Sequence, residues 1–582
     1  MDLQKFYMGE SFDAYEYFGA HLEDSGVVFR TYAPNAWGIN VVGEFNGWKE
    51  EPLQQLHQSG IWVGFSKDAQ LGQMYKYVIY SQNGRVEHCD PYGFGMELRP
   101  GACSMIRDLN EYLFTDEKWM KKRTRCFDKP LNIYELHLGS WKMRDGNWYT
   151  YNEIADELIA YLKEYGYNYV EFMPLSEHPF DSSWGYQNTG FYAPTSRYGT
   201  AAQLMELIDK LHNAGIGAIM DFVLVHFAVD SYGLKEYDGT TLYEYPHKDV
   251  GKSEWGSYNF NHSRREVACF LQSAANYWLK EYHFDGLRMD AISRMIYWQG
   301  DEQRGENGVA INFLKTMNQG LHRLHPTAML IAEDSTAYPG VTKDVEKGGL
   351  GFDYKWDLGW MHDTLKYFQC HPYDRANMPD KITFSIYYAY NERYILPFSH
   401  DEVVHGKKTI IDKLNGSYEQ KFAQARILYL YMMIHPGKKL NFMGNELAMF
   451  REWDEKREPD WELLNLPAHD SFHRYIRELN RLYLKKKTIW ALDHTYAGFK
   501  WIDCKSDNKC VFGYTRTDGK KTMLVIFNFS DTEAAIAPEL DGSATMLLHT
   551  DWEVFGGKTR RSMKKYIEKQ LSPYCSVLYE VK

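Results

Sequence analysis

From Ile133 onward the chain alternates short, almost wholly apolar runs with longer stretches in which apolar residues recur every three or four positions. The short runs are IYELHL (from Ile133), NYVEFM (from Asn168), IGAIMDFV (from Ile216), FDGLRM (from Phe284), AMLIAE (from Ala328), FDYKWD (from Phe352), YILPFS (from Tyr394) and KLNFMG (from Lys439). Runs of this length, rich in branched and aromatic residues, predict buried strands. Between most of them lies an amphipathic segment of helix length, such as NEIADELIAYLKEYG or AAQLMELIDKLHNAG, the latter ending in a helix-stop glycine, Gly215. Eight strands with intervening helices predict a parallel (β/α)8 TIM barrel. A doubly wound open sheet is the alternative, but it calls for a Gly-rich phosphate turn after an early strand, and LHLGSW is not one.

On either side of this region the period changes to two. GVVFRTYAPNAWGINVVGEFNGW (from Gly26) reads as short alternating strands broken by Pro-Asn and Phe-Asn-Gly turns, and MYKYVIYSQNGRVEHCDPYG adds a hairpin signal at Asn83-Gly84. Beyond Leu492, KWIDCKSDNKCVFGYTRTDGKKTMLVIFNFS carries turn pairs at Ser506-Asp507 and Asp518-Gly519, and SPYCSVLYEV looks like a closing strand. The predicted division is a β-sandwich over 1–110, the barrel over 111–490 with the polar stretch Asn110 to Pro130 as connector, and a C-terminal β-sandwich over 491–582. The stretch Phe227 to Ser263 is too long for a simple βα loop and is expected to form a cleft wall.

Composition narrows the function. The formal charge of −12 is spread without long acidic or basic blocks, and no basic stripe exists to neutralise phosphates, which argues against nucleic acid. Aromatic residues make up 16%, with 45 Tyr and 17 Trp. Core packing accounts for many of them, while those in polar Gly-rich loops such as SSWGYQNTGFY suit stacking on the C–H faces of sugar rings. The eight cysteines form no CxxC or metal-spaced cluster and are too sparse for a disulfide scaffold. The N-terminus lacks the basic start and apolar run of a signal peptide, and no run of about twenty apolar residues offers a membrane span. A reduced, cytoplasmic setting is expected, without metal or other cofactor.

Four of the predicted strands end in charged or imidazole groups: DFVLVH (Asp221, His226), DGLRMDAISR (Arg288, Asp290), LIAEDS (Glu333) and FSHDEVVHGKK (His400, Asp401). Singly, each has an ordinary reading. Asp221 fits a helix N-cap, Arg288 with Asp290 an ion pair, and either histidine a hydrogen-bonded structural group. Jointly, at the ends of strands three, four, five and seven, they describe a site on the C-terminal rim of a barrel. Three carboxylates, two histidines and an arginine, with no nucleophilic Ser or Cys nearby, point to glycosidic chemistry, which needs one carboxylate as nucleophile and a second carboxyl as acid and base. An adjacent arginine is expected to lower the nucleophile's pKa, and the apolar MLIA before Glu333 to favour a protonated acid.

The four segments resemble, in order and spacing, the signature regions of the α-amylase superfamily, glycoside hydrolase family 13. The first flanking sandwich looks like the immunoglobulin-like glycan-binding module found ahead of the barrel in branching and debranching members. The resemblance implies Asp290 as nucleophile, Glu333 as general acid/base and Asp401 as the third carboxylate, holding sugar hydroxyls. It implies that Arg288 keeps Asp290 ionised, that His226 and His400 hydrogen-bond the sugar being cleaved, and that Tyr186 stacks beneath it. Val225 stands where amylases typically have a calcium-binding Asn.

Three stretches single out the branching members. HDEVVHGKK (from His400), MGNELAMFREW (from Met443) and EHPFDSSWGYQNTGFYAPTSRYGT are similar to segments of glycogen branching enzymes, although Leu414-Asn415-Gly416 replaces their usual Met-Pro-Gly. The implied activity is cleavage of an α-1,4 glucosidic bond and transfer of the chain to a C6 hydroxyl, with an α-glucan polymer as donor and acceptor. A hydrolase of the amylase or isoamylase type is the alternative. Trp184, Tyr186, the stretch His405 to Lys408, Glu446 and Trp453 are expected to hold the acceptor or substrate, and Asp221 to belong to the substrate-binding set. Trp37 and Trp48, in turn-rich parts of the first sandwich, are either exposed sugar-stacking rings or core residues.

Overall fold

The computed structural model describes residues 1–57, 59–539 and 543–581. Eight parallel strands close into a barrel in chain order: β1 (Asn132–Leu136), β2 (Tyr169–Phe172), β3 (Gly217–Phe222), β4 (Gly286–Met289), β5 (Met329–Ala332), β6 (Tyr354–Trp356), β7 (Tyr394–Phe398) and β8 (Lys438–Phe442). All eight coincide with the predicted apolar runs. The lower interior is a layer of side chains that includes Ile133, Ile219, Ile331, Trp356, Ile395 and Leu440, as a packed barrel requires. One step up each strand the layer turns polar: Glu135 pairs in register with Glu171 across β1 and β2, and Asp221 with Arg288 across β3 and β4.

Helices α1 (Tyr151–Tyr165), α2 (Ala201–Asn213), α3 (Arg265–Glu281), α4 (Gly308–Leu324), α5 (Leu358–Gln369), α6 (Tyr418–Ile434) and α7 (Pro467–Lys485) follow the strands. Capping boxes at Thr150/Glu153, Thr200/Gln203 and Ser417/Gln420 start three of them by satisfying N–H groups that the first turn leaves free. Gly215 adopts φ +82 just past α2, as its role as a stop requires. The crossover from β5 to β6 is different: residues 333–353 contain only the short turn Val345–Lys347 and no α-helix.

Ahead of the barrel, a four-stranded and a five-stranded antiparallel sheet face each other, with Phe29 of one against Tyr75 of the other (ring centroids 5.1 Å apart). After it comes a five-stranded antiparallel sheet whose Phe527 and neighbouring Phe529 pack on Tyr431 of α6; among the described residues a two-stranded ribbon, Ala534–Ala535 with Gln570–Leu571, accompanies it. The predicted connector is part of the barrel floor. Asp116 and Asp285 clasp His212 at 2.7 and 2.9 Å, and Trp119 donates to Asp285. The long loop after β3 does two jobs. Its distal part docks on the first sandwich, through Tyr237 to Thr31 (2.7 Å) and Asn35 to Asp238 (2.8 Å), and its return strand Tyr258–Asn259 pairs with His226–Phe227 at the cleft.

Candidate active site

Arg288 organises the site. It is fully buried and its guanidinium lies over the Trp356 ring, 4.2 Å from the centroid. Nη1 donates to both Asp221 oxygens (2.8 and 2.6 Å) and to Oδ1 of Asp290 (2.8 Å), and Nη2 lies 2.8 Å from Oε2 of Glu333. Three strand ends thus converge on one cation. Asp290 follows β4 directly, and Ala291 after it takes the left-handed conformation (φ +47), aiming its N–H at Oε2 of Glu333 (2.8 Å). A non-glycine residue in that region is uncommon, and here it gives Glu333 a second fixed donor.

On the other side of Asp221, Tyr186 donates to Oδ2 at 2.6 Å and lies 3.3 Å from Nε2 of His400, its ring stacked on that imidazole (centroids 5.6 Å apart). His400 is pinned from behind: Glu135 accepts from its backbone N–H (2.9 Å) and pairs with Nδ1 (2.6 Å). Asp401 stands 3.5 Å from Nε2 with its side chain 47% exposed, the most open of the three carboxylates. His226 carries an Nδ1 with no partner among the described residues and meets the Trp255 ring at 5.2 Å; Arg294 covers that ring at 4.4 Å.

The loop bearing Trp184 and Tyr186 is held rigidly. Arg197 joins Glu177 (2.6 Å) to Asp181 (2.9 Å), and Arg99 adds a second bond to Asp181. Gly185, at φ +92, leaves no room for a side chain, since a Cβ would meet the Pro174 carbonyl at 2.5 Å. Trp184 stacks on His405 (5.2 Å), packs on Trp453 (4.9 Å) and donates to Glu455 (3.2 Å). The His405–Lys408 stretch is tied to the same rim through Glu452, which accepts from the backbone of Gly406 and Lys408.

Electrostatics depart from expectation at one point. The sequence pattern predicts that Arg288 lowers the pKa of Asp290. Burial instead dominates: it pushes this carboxyl well above the usual range, Arg288 pulls it down, and Glu333, Asp221 and Asp401 push it up again. Burial likewise raises Asp221 to about 6 against the pull of Arg288. Carboxyls crowded on one guanidinium take up and release protons as a unit. Burial lowers His226 to about 4, so it is a neutral imidazole near pH 7. Burial also opposes a charge on His400, but Asp401 and Glu135 outweigh it and raise that histidine to about 9.

The structure gathers Asp221, Arg288, Asp290, Glu333, Tyr186, His400, Asp401 and Trp184 at this rim, with His226 on the adjoining loop. Glu446 is a correction. It is fully buried, and its Oε1 accepts from Tyr134 and from Tyr161 of α1 (2.7 Å each), so it braces β1 against α1 and does not face the cleft. Left-handed residues at both ends of its turn, Gly444 (φ +90) and Ala448 (φ +54), fold the segment back. Glu135 and Glu171 escaped the sequence pattern because each sits inside an apolar strand. An acidic residue in the middle of a fully buried run is itself the signal that reveals them. Among the described residues, no helix is long and apolar enough to cross a membrane.

Known proteins resemble the chain part by part and as a whole. Residues 17–93 match the carbohydrate-binding module 48 (isoamylase N-terminal domain), 145–255 the alpha amylase catalytic domain, and 501–582 the alpha amylase C-terminal all-beta domain. Among solved structures, a putative alpha amylase from Salmonella typhimurium superposes with a TM-score of 0.75 at 19% identity, covering 97% of this chain and 100% of that one. A pullulanase from Anoxybacillus sp. LM18-11 gives 0.76 at 16%, covering 100% and 89%; at such identities the likeness shows the fold alone. Among curated relatives, the 1,4-alpha-glucan branching enzyme GlgB of Bacillus caldolyticus is 43% identical over 96% of this chain and 86% of its own length. That of Fusobacterium nucleatum is 43% identical over 97% of this chain and 94% of its own length. Likeness sustained at that level from end to end leaves one assignment: the chain belongs to the GlgB family of 1,4-alpha-glucan branching enzymes, on an alpha-amylase-type barrel.

Proposed function

We propose that the chain is a glucan-branching transferase: it cleaves an α-1,4 bond in an α-glucan donor and passes the non-reducing fragment to a C6 hydroxyl of an acceptor glucan. The observation that carries the reaction class is the sharing of Arg288 by Asp221, Asp290 and Glu333 at the barrel rim. A retaining mechanism needs two carboxyls with opposite protonation on either side of the bond. In this reading Asp290 yields its proton to the carboxyl cluster around Arg288, to which it is anchored through Oδ1, and attacks the anomeric carbon as the anion. Glu333 protonates the departing oxygen, and its carboxylate then draws the proton from the acceptor hydroxyl as the glycosyl–Asp290 ester is displaced. Asp401 holds sugar hydroxyls; Tyr186 and His400 form the floor under the ring that distorts.

Transfer requires that a sugar hydroxyl outcompete water, which is present at about 55 M. Positioning supplies effective molarities of roughly 10⁵–10⁸ M when the acceptor is held in line. The rim cluster of Trp184, His405 and Trp453 supports that role. On amylose, the iodine absorbance is expected to fall and its maximum to move to shorter wavelength with little rise in reducing ends, and debranching of the product then releases new short chains. Reducing ends that rise in step with the loss of colour, with nothing new released on debranching, would establish a hydrolase instead.

A further inference from the structure

The helix missing between β5 and β6 leaves a cleft of about 1070 Å³ on the outside of the barrel, above the usual range for a small-molecule site. Tyr338, from the helix-less crossover, lines it together with three rings that touch edge to face: Phe384 against Tyr388 (5.7 Å) and Tyr388 against Tyr394 (5.8 Å). Phe384 is 54% exposed, and its other ring neighbour, Tyr387 (6.2 Å), is more exposed still.

Several of the charges lining this cleft are already held within the protein. Lys355 binds Asp334 at 2.8 Å, Asp363 binds Lys381 at 2.8 Å, and Glu392 accepts the N–H groups of Val341 and Thr342. What remains is a set of uncommitted hydrogen-bonding atoms: Oδ2 of Asp357, Nε1 of Trp356, the Tyr390 hydroxyl and both ring nitrogens of His494 find no protein partner among the described residues. Asp357 is only 3% exposed, and burial raises its carboxyl to about 7. Buried donors and acceptors left open are costly unless water or a ligand meets them. Aromatic faces beside unpaired neutral donors and acceptors, without a surplus of either charge, match an uncharged polyol whose rings have apolar faces.

We propose that this cleft is a second binding site for an α-1,4-glucan chain, separate from the catalytic rim and sharing one wall with it. The shared wall is Trp356, which lines the cleft and whose ring also carries the Arg288 guanidinium. The choice of glucan rests on the proposed function; the cleft's preference for a neutral sugar rests on its own lining.

The test titrates maltoheptaose into the full-length Asp290→Asn protein, which does not consume it, by calorimetry. Tyr338→Ala with Phe384→Ala removes two rings; Ser335→Trp, at an exposed cleft position, fills the space while leaving them in place. Either change is expected to abolish one binding event, or weaken it at least tenfold, with an unaltered melting temperature. An unchanged isotherm in both variants overturns the cleft assignment and leaves the glucan reading intact. Absence of any maltoheptaose binding by the Asp290→Asn protein overturns both.

Discussion

Nδ1 of His400 lies 2.6 Å from Oε1 of Glu135, so a carboxylate on the first barrel strand orients a histidine that follows the seventh. The other ring nitrogen faces Tyr186 and Asp401. Glu135 therefore acts on the cleft through His400, as a positioning residue.

Glu135→Gln keeps the hydrogen-bonding shape and removes one of the two anions that hold His400 protonated. The histidine's folded pKa, about 9, exceeds its ordinary value, so its charge stabilises the fold fully below about pH 6.5 and that contribution is lost as pH rises through about 9. In the variant, the alkaline limbs of both stability and activity are expected to move down by about one pH unit. Superimposable pH profiles for the two proteins would show that Glu135 has no such role.

Asp290→Asn is expected to cut turnover by several orders of magnitude while glucan binding survives, as for a group acting only in the chemical step. Paired rate and binding measurements decide it. A variant retaining a substantial fraction of activity would remove Asp290 from the mechanism.

Glu171 is fully buried with neither oxygen partnered among the described residues, and burial, followed by Glu135 and Asp221, holds its pKa well above the ordinary value. The folded chain then binds a proton that the unfolded chain releases, so this residue costs stability as pH climbs from about 4.5 toward its folded pKa. Glu171→Gln is expected to leave the melting temperature unchanged near pH 4 and raise it at pH 8. A variant less stable at pH 8 than its parent would mean that the carboxylate is ionised and paired.

Trp37 and Trp48 are 74% and 45% exposed, so of the two alternatives left by the sequence they are surface rings. Trp37→Ala is expected to weaken binding to long glucan several-fold and leave short maltooligosaccharides unaffected. Equal polymer affinity in pull-down with glycogen counts against a sugar-stacking role.

Prolonged chelation is expected to leave activity and melting temperature unaltered, because Val225 occupies the position at which amylases typically carry a calcium-binding Asn. A large loss restored by calcium would argue for an amylase-like metal site.

Much of this architecture was legible in the chain because strand and helix periods differ, and the barrel repeats that contrast after seven of its eight strands. The rim residues were legible because polar groups ending an apolar strand have few other reasons to be there. Glu446 was misplaced for a local reason: two left-handed residues, one of them an alanine, reverse the chain around it, and alanine gives no sequence signal of that conformation. Arg288, two residues back, pulls the pKa of Asp290 down as the sequence predicts, while the burial and the Glu333 and Asp221 carboxyls that push it up come from other strands.

The first residues of the chain carry a different kind of consequence. Helix Leu3–Met8 touches its own sandwich through Tyr7, which donates to the Ser59 carbonyl (2.8 Å), but it and the turn after it are also fastened to the barrel: Gln272 donates to the Gly9 carbonyl (3.1 Å), Asn276 to that of Phe12 (2.8 Å), and the Phe12 ring fills the space over Gly320 that a Cβ would need. These partners lie 263 and 264 positions away along the chain. During synthesis this segment emerges well before its barrel seat, which exists only when half the barrel has been made, so its contacts with α3 and α4 must wait. Contacts of such long sequence separation form late and slowly. The opening segment thus serves as a latch, fastened only once the middle of the protein exists.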